Sequence, residues 1–256
     1  MILAIDAGNT NTAFAVFLGD KLRVCWRLST DARRTGDEYA GMLLPLFTEK
    51  AVECSGITAA AISSVVPAAT DALVQFAKRH MKVAAPFVLS PHTDFGIKVS
   101  YHPVADVGAD RIANAVAAHA RYPGKVIVVD FGTATTLDAV SEDGEYLGGA
   151  IAPGIQISLE ALIARTARLV GVQLVAPEKA IGASTVTSLQ SGIIFGVAGE
   201  VDALVERFQE EMGGGAKVIA TGGLAEIVAP HSRTIESCDE TLTLEGIRLI
   251  YERAHR

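Results

Sequence analysis

The chain has 256 residues, half of them hydrophobic and a fifth charged, a composition with room for two domains and a substantial core and with no disordered tail. Its formal net charge is −7 and no Lys/Arg cluster exceeds Arg33-Arg34, so the basic footprint of a nucleic-acid surface is missing. The long apolar stretch from Gly192 is broken by Glu200 and Asp202, and the N-terminus enters a strand without a preceding basic region, which argues against a membrane span and a signal peptide.

In chain order, strands are predicted at Ile2–Asp6, Thr12–Leu18 and Leu22–Leu28, then a helix over Asp37–Glu53. An apolar strand, Ala60–Val65, leads through Pro67 into a helix that ends at His80, and Phe87–Leu89 is a short strand. A helix over Asp106–Tyr122, ended by Pro123-Gly124, separates this set from a second one. There the strands are Val126–Asp130, Thr135–Val140 and Tyr146–Ile151, followed by a helix from Ile155 and a long helix over Thr187–Met212. Lys217–Ala220 is a strand feeding Thr221-Gly222-Gly223, and Leu242–Arg253 is the last helix. Three strands, a helix, a strand and a helix, twice over, predict a mixed α/β fold in two similar domains, 1–114 and 115–256.

The sequence Asp6-Ala7-Gly8-Asn9-Thr10-Asn11-Thr12 returns mid-chain as Asp130-Phe131-Gly132-Thr133-Ala134-Thr135-Thr136. Each copy follows an apolar strand, so one strand-turn-strand unit is used twice. Glycine lets the backbone approach a ligand closely, successive N–H groups can line an anion-binding concavity, and threonine hydroxyls add donors. An aspartate at the strand end suits the cation that travels with phosphate. One such turn is commonplace; two fit a nucleotide held between two domains. Neither contains the lysine of a P-loop.

These paired turns and the later Thr221-Gly222-Gly223 resemble the acetate kinase, sugar kinase, Hsp70 and actin superfamily, which binds ATP in a cleft between two ribonuclease-H-like domains. Within it the chain resembles the type III pantothenate kinases over its whole length. The resemblance is carried by the two turns, Trp26-Arg27-Leu28-Ser29-Thr30, Gly108-Ala109-Asp110-Arg111, Gly148-Gly149-Ala150-Ile151-Ala152-Pro153-Gly154, Gln190-Ser191-Gly192 and Leu242-Thr243-Leu244-Glu245-Gly246. Ala183-Ser184 and His102-Pro103 stand where the family commonly has Lys-Asn and Asn-Pro.

The resemblance implies transfer of the ATP γ-phosphoryl group to pantothenate, the first step towards coenzyme A. Asp6, Gly8, Asn9, Thr10, Asn11, Thr12, Thr133 and Gly222 match ATP and phosphate contacts, with Asp6 holding Mg²⁺ through water. Asp130 matches the ligand of a monovalent cation, K⁺ or NH₄⁺. Asp110 matches the general base, although the helix dipole alone explains an acidic residue in a first helical turn, with Asp106 as N-cap. Tyr101, Gly108, Ala109, Asp110, Arg111 and Thr185 match the pantothenate site, and Thr185 also reads as a helix N-cap. The family also implies a homodimer, with Ile155–Leu162 and Ser191–Val205 as interface candidates. Cys25, Cys54 and Cys238 share no metal-ligand spacing and read as buried reduced thiols of a cytoplasmic protein. A phosphatase on the same fold and a non-catalytic regulatory relative are the competing readings; the latter would have lost one of Asp6, Asp110 and Asp130.

Overall fold

The structure is a computed structural model that describes residues 1–166 and 171–256. It contains two compact units. One comprises Met1–Ile97, His102–Ala117 and Thr243–Arg256; the other comprises Lys98–Tyr101 and Ala118–Leu242. The units are therefore not contiguous in sequence: the last helix, predicted with the second half, packs in the first unit.

Each unit is built on one five-stranded sheet. In the first, β1 (Ile2–Ala7), β2 (Asn11–Leu18), β3 (Lys21–Ser29), β4 (Ala59–Ser64) and β5 (Phe87–Val88) lie in the order β3-β2-β1-β4-β5. Strand β1 runs antiparallel to β2 and parallel to β4. In the second, β6 (Val126–Phe131), β7 (Ala134–Val140), β8 (Tyr146–Pro153), β9 (Lys217–Thr221) and β10 (Ser237–Cys238) lie in the order β10-β9-β6-β7-β8. Read from its other edge, this sheet repeats the first strand for strand, with β6 antiparallel to β7 and parallel to β9. The predicted strands are all present, most of them a residue or two longer; the two-residue β10 has no counterpart in the prediction, and Cys25 on β3 and Cys238 on β10 are exposed, not buried, because both strands are sheet edges.

Hydrophobic alternation decides which face of the first sheet is core. Leu3, Ile5 and Ala7 join Phe14 and Val16 on one face, covered by Tyr39, Leu43 and Phe47 of α1 (Gly36–Glu49) and by Leu73 and Phe76 of α2 (Pro67–Arg79). The period of two then sends Ala4 and Asp6 to the opposite face. Helix α1 starts where Thr35 and Glu38 exchange side-chain and backbone bonds in a capping box. Proline at the first position of α2 costs no helical hydrogen bond, and Lys78 and Arg79 complement the dipole at its end.

Helix α3 (Ala109–Arg121) begins in the first unit and carries the chain into the second. The second unit adds α4 (Ile155–Ala164), α5 (Thr185–Glu211) and the one-turn α6 (Ala225–Val228). Helix α5 has the length and apolarity of a membrane span. Its buried residues Ala198, Val201 and Val205 pack into the core of the second sheet, and Asp202 on the same helix is 2% exposed. That carboxylate accepts bonds from Ser232 Oγ at 2.6 Å and Thr234 Oγ1 at 2.8 Å; burial works against its charge, but these bonds keep its pKa below the ordinary value.

The last helix, α7 (Leu242–Ala254), fixes α3 within the first unit. Thr243 Oγ1 donates to buried Asn114 Oδ1 at 2.7 Å. One helical turn on, Gly246 passes so close to α3 that a Cβ there would run into the Ala113 carbonyl. Arg248, 4% exposed, pairs with Glu245 and Glu252 at 2.6 and 2.7 Å and lies over the Phe17 ring, 5.5 Å from its centroid. Burial opposes its charge, but the two carboxylates outweigh it and hold its pKa above the ordinary guanidinium value.

Gly246→Ala should destabilise the protein by about 2 kcal/mol in urea unfolding, because the new methyl has no space. Gly41→Ala, at a helical glycine with nothing within 4 Å of the added methyl, should stabilise it by about 0.5–1 kcal/mol through helix propensity. Equal effects at both positions would remove the α3–α7 contact as the cause.

Candidate functional site

The first turn joins β1 to β2 across Gly8, Asn9 and Thr10. Gly8 N–H donates to the Asn11 carbonyl at 3.0 Å, so this amide closes the turn and does not point outward. Asn9, Thr10 and Asn11 are exposed at its tip. Thr12 is 0% exposed, and its hydroxyl is 2.8 Å from Thr30 Oγ1, which in turn donates to the Gly8 carbonyl at 2.7 Å. Thr30 N–H also donates to the Thr10 carbonyl at 2.9 Å. The end of the Trp26–Thr30 motif is thus a brace that grips both sides of the turn.

The second turn is one residue shorter between its strands. Ala7 pairs with Thr12 in the first hairpin, whereas Phe131 pairs with Thr135 in the second. The structural counterpart of Thr12 is therefore Thr135, where the sequence pattern alone aligns Thr136. Gly132 N–H donates to the Ala134 carbonyl at 3.1 Å, again closing the turn.

The brace differs as well. Thr12 pairs with Leu28 and Thr135 with Ala152, so the position two residues on, Thr30 in the first unit, is Gly154 in the second. Gly154 lies so close that a Cβ would run into the Thr133 carbonyl. From the parallel side comes Gly222, at φ +90°, where a Cβ would sit 2.5 Å from Asp130 Oδ1 and 2.7 Å from the Phe131 backbone. Asp130, Thr133 and Gly222 are thereby brought together, and a glycine is required where the backbone itself must touch the carboxylate.

Asp6 and Asp130 occupy the same register in the two sheets. Asp6 lies opposite Ala13 on β2 and beside Ser63 on β4; Asp130 lies opposite Thr136 on β7 and beside Thr221 on β9. Both aspartates are half-buried, while Ser63 is 0% and Thr221 1% exposed. Ser63 escapes sequence reasoning because nothing but the strand register places it beside Asp6. A cavity of about 350 Å³ opens at the end of β4, lined by Ser64, Val65, Pro67, Thr70 and Asp71.

Gly108 to Arg111 open α3 in the first unit. The Gly108 carbonyl accepts the first helical bond, from Ile112 N–H at 3.2 Å, so Gly108 takes the N-cap place predicted for Asp106. Asp106 instead ends a separate 3₁₀ turn, Val104–Asp106, because the chain needs Val107 and Gly108 to redirect itself into the helix. Asp110 sits in the first helical turn, half-buried, and its Oδ1 accepts Arg111 N–H at 2.8 Å. A Cβ on Gly108 would strike that same oxygen. Arg111 is 7% exposed.

Tyr101 and Thr185 belong to the second unit. The short segment Lys98–Tyr101 lies along the β8 edge: Tyr146 N–H donates to the Lys98 carbonyl and Ser100 N–H to the Tyr146 carbonyl, both at 2.8 Å. Glu145 ties it down, with Lys98 Nζ at 2.7 Å and Ser100 Oγ donating to the same oxygen. The Tyr101 ring lies 6.4 Å from that of fully buried Tyr146, whose hydroxyl donates to Asp138 Oδ1 at 2.8 Å. Thr185 is exposed as the first residue of α5; the N-cap is Ser184, in a capping box with Thr187. The hydroxyl must stand one residue before the helical dihedrals begin, and Ser184 has that extended backbone. Gln190 and Ser191 tie the preceding loop to α5 through the Gln173 and Ala180 carbonyls, at 3.1 and 2.5 Å.

Comparison with known proteins gives a consistent family. A family model described as type III pantothenate kinase matches residues 2–207. A type III pantothenate kinase of Myxococcus xanthus is 48% identical over 100% of this chain and 99% of its own. One from Moorella thermoacetica is 46% identical over 99% of both chains. Among solved structures, a Baf family protein from Campylobacter jejuni aligns with a TM-score of 0.59 at 20% identity, covering 99% of this chain and 98% of that one. The inorganic polyphosphate/ATP-glucomannokinase of Arthrobacter sp. aligns with a TM-score of 0.51 at 13% identity, covering 98% of both. The last two establish the shared fold.

Gly222→Ala should destabilise the second unit by about 2 kcal/mol in urea unfolding, since strain at positive φ adds to the clash with Asp130. A neutral substitution would remove the close approach. Glu145→Gln should speed amide exchange at Ser100 while leaving the Gly8–Thr12 turn unaltered. In the wild type, the Lys98 and Ser100 hydrogen bonds keep Glu145 below its ordinary value of 4.5. The tether is thus complete above that value and is lost only as pH falls through the depressed one.

Proposed function

The chain belongs to the type III pantothenate kinase family and phosphorylates pantothenate with ATP in coenzyme A biosynthesis; we propose that Asp110 is the catalytic base and that the two turns hold the ATP phosphates. The observation that carries the residue assignment is the duplicated Asp-Gly-Thr turn at the carboxyl end of the central strand of each sheet. In this reading, Asn9, Thr10 and Asn11 present donors to phosphate from the tip of the first turn, with Gly8 and Thr12 holding its shape. Thr133 serves the phosphates from the second turn, and Gly222 approaches the adenosine side.

The primary alcohol of pantothenate attacks the γ-phosphorus as the bond to the bridging oxygen of ADP breaks. Because the transition state is loose, the hydroxyl needs orientation and a late proton acceptor more than a strong base. Asp110 suits this: Arg111 N–H fixes Oδ1, and Oδ2 takes the proton. Tyr101, Gly108, Ala109, Arg111 and Thr185 are assigned to pantothenate.

Among the described residues no group of three or more His, Cys, Asp or Glu side chains could hold a metal. That fits Mg²⁺, which is held by substrate phosphates, water and one or two carboxylates, not by an all-protein cage. Asp6 is assigned to it through water; when bound there, the cation would supply charge neutralisation to the phosphates. Asp130 is assigned to a monovalent cation, K⁺ or NH₄⁺. A cytoplasmic homodimer completes the reading; exposed Ile157 and Leu162, at 45 and 41%, lie in the first interface candidate, Ile155–Leu162, whereas Ala198, Val201 and Val205 of the second, Ser191–Val205, are buried in the core.

The test is ADP release coupled to pantothenate, in K⁺ and in Na⁺. Turnover should need pantothenate and fall sharply in Na⁺. Asp110→Asn should keep ATP binding and lose about 10²–10⁴-fold in kcat. Near-normal turnover in this variant would remove the base; indifference to Na⁺ would remove the cation role of Asp130.

A further inference from the structure

Ser63 holds a buried hydroxyl with nothing to do. It is 0% exposed, and its oxygen has no hydrogen-bond partner among the described residues. Buried hydroxyls are nearly always paired, so an unmatched one is a cost to the fold that an alanine would avoid. Its position gives the reason for its presence. Ser63 stands beside Asp6 in parallel register, so the two side chains share one face of the sheet about 4.8 Å apart. The adjacent positions on that face, Ala4, Ala13 and Ala61, offer no polar side chain, and Arg27, in register beyond Ala13 on β3, is exposed.

The second unit repeats the placement, with the hydroxyl residue Thr221 beside Asp130. A hydroxyl in register with each turn aspartate survives although the neighbouring residues differ: Gly222 follows Thr221, whereas Ser64 follows Ser63. Ser64 cannot stand in for Ser63, since its own Oγ is spent on Val66, accepting from its N–H and donating to its carbonyl, both at 3.1 Å.

We infer that Ser63 is a positioning residue of the phosphoryl-transfer site, its hydroxyl acting with Asp6 to hold a water of the divalent cation that accompanies the nucleotide. This rests on the assignment of Asp6 to that cation. Ser63 touches neither phosphate nor pantothenate; it acts on the cation's hydration shell, where outer-shell partners set affinity.

The experiment is calorimetric titration of the full chain with the non-hydrolysable analogue AMP-PNP, in Mg²⁺ and in EDTA, alongside thermal unfolding. Ser63→Ala should unfold no earlier than wild type, bind the analogue normally in EDTA, and lose about tenfold in affinity in Mg²⁺. Ser63→Thr, the residue used at the matching place in the second unit, should restore the Mg²⁺ effect. The inference is overturned if Ser63→Ala keeps the full Mg²⁺ effect, weakens binding equally in EDTA, or unfolds earlier. Asp6→Asn separates the two levels: if it too keeps the Mg²⁺ effect, the Asp6 assignment fails; if it abolishes the effect while Ser63→Ala does not, only the role of Ser63 fails.

Discussion

A carboxylate at the carboxyl end of a central strand, with an antiparallel hairpin on one side and a parallel strand on the other, is the constraint from which the rest of this molecule follows. The hairpin supplies a short polar turn immediately after the aspartate. The parallel neighbour brings the start of a helix to the same sheet edge, α2 beside Asp6 and α6 beside Asp130. Open α/β sheets place their ligands beyond the carboxyl ends of strands for this reason. The chain builds the arrangement twice.

The two copies hold their turns by opposite means. In the first, side chains do it: Thr30 reaches across to Thr12 and to the Gly8 carbonyl. In the second, the absence of side chains does it: Gly154 and Gly222 let backbone pack directly on Thr133 and on Asp130. A hydroxyl brace leaves an exposed polar tip at Asn9–Asn11, while close glycine packing fixes a carboxylate against its own turn. That division suits a phosphate cradle on one unit and an anchored anionic ligand for a cation on the other.

Much of the fold was legible in the sequence, because apolar runs bounded by turn residues mark strands well, and the duplicated turn marks where the two sheets repeat one another. What was missed shares one cause: registers and long-range contacts leave little trace in local spacing. The one-residue difference between the hairpins, which makes Thr135 and not Thr136 the partner of Thr12, is invisible until the strands are paired. Ser63 is unremarkable in a run of small residues until β4 lies beside β1. The cap assignments of Asp106 and Thr185 chose good capping residues at the wrong place, since Gly108 and Ser184 are where the dihedrals turn helical. The return of Thr243–Arg256 to the first unit brings Gly246 against Ala113, a contact made across about half of the chain.

That contact also ties the end of the chain to the proposed base near its middle. Helix α7 sets α3 through Gly246 and Thr243, and α3 carries Asp110 in its first turn. The central claim, however, is that both turns serve one nucleotide. Amide hydrogen exchange with and without AMP-PNP and Mg²⁺ tests it directly, read at Asn9–Thr12 and at Gly132–Thr136. The account predicts slower exchange in both segments on binding; binding that leaves either segment unchanged would contradict it.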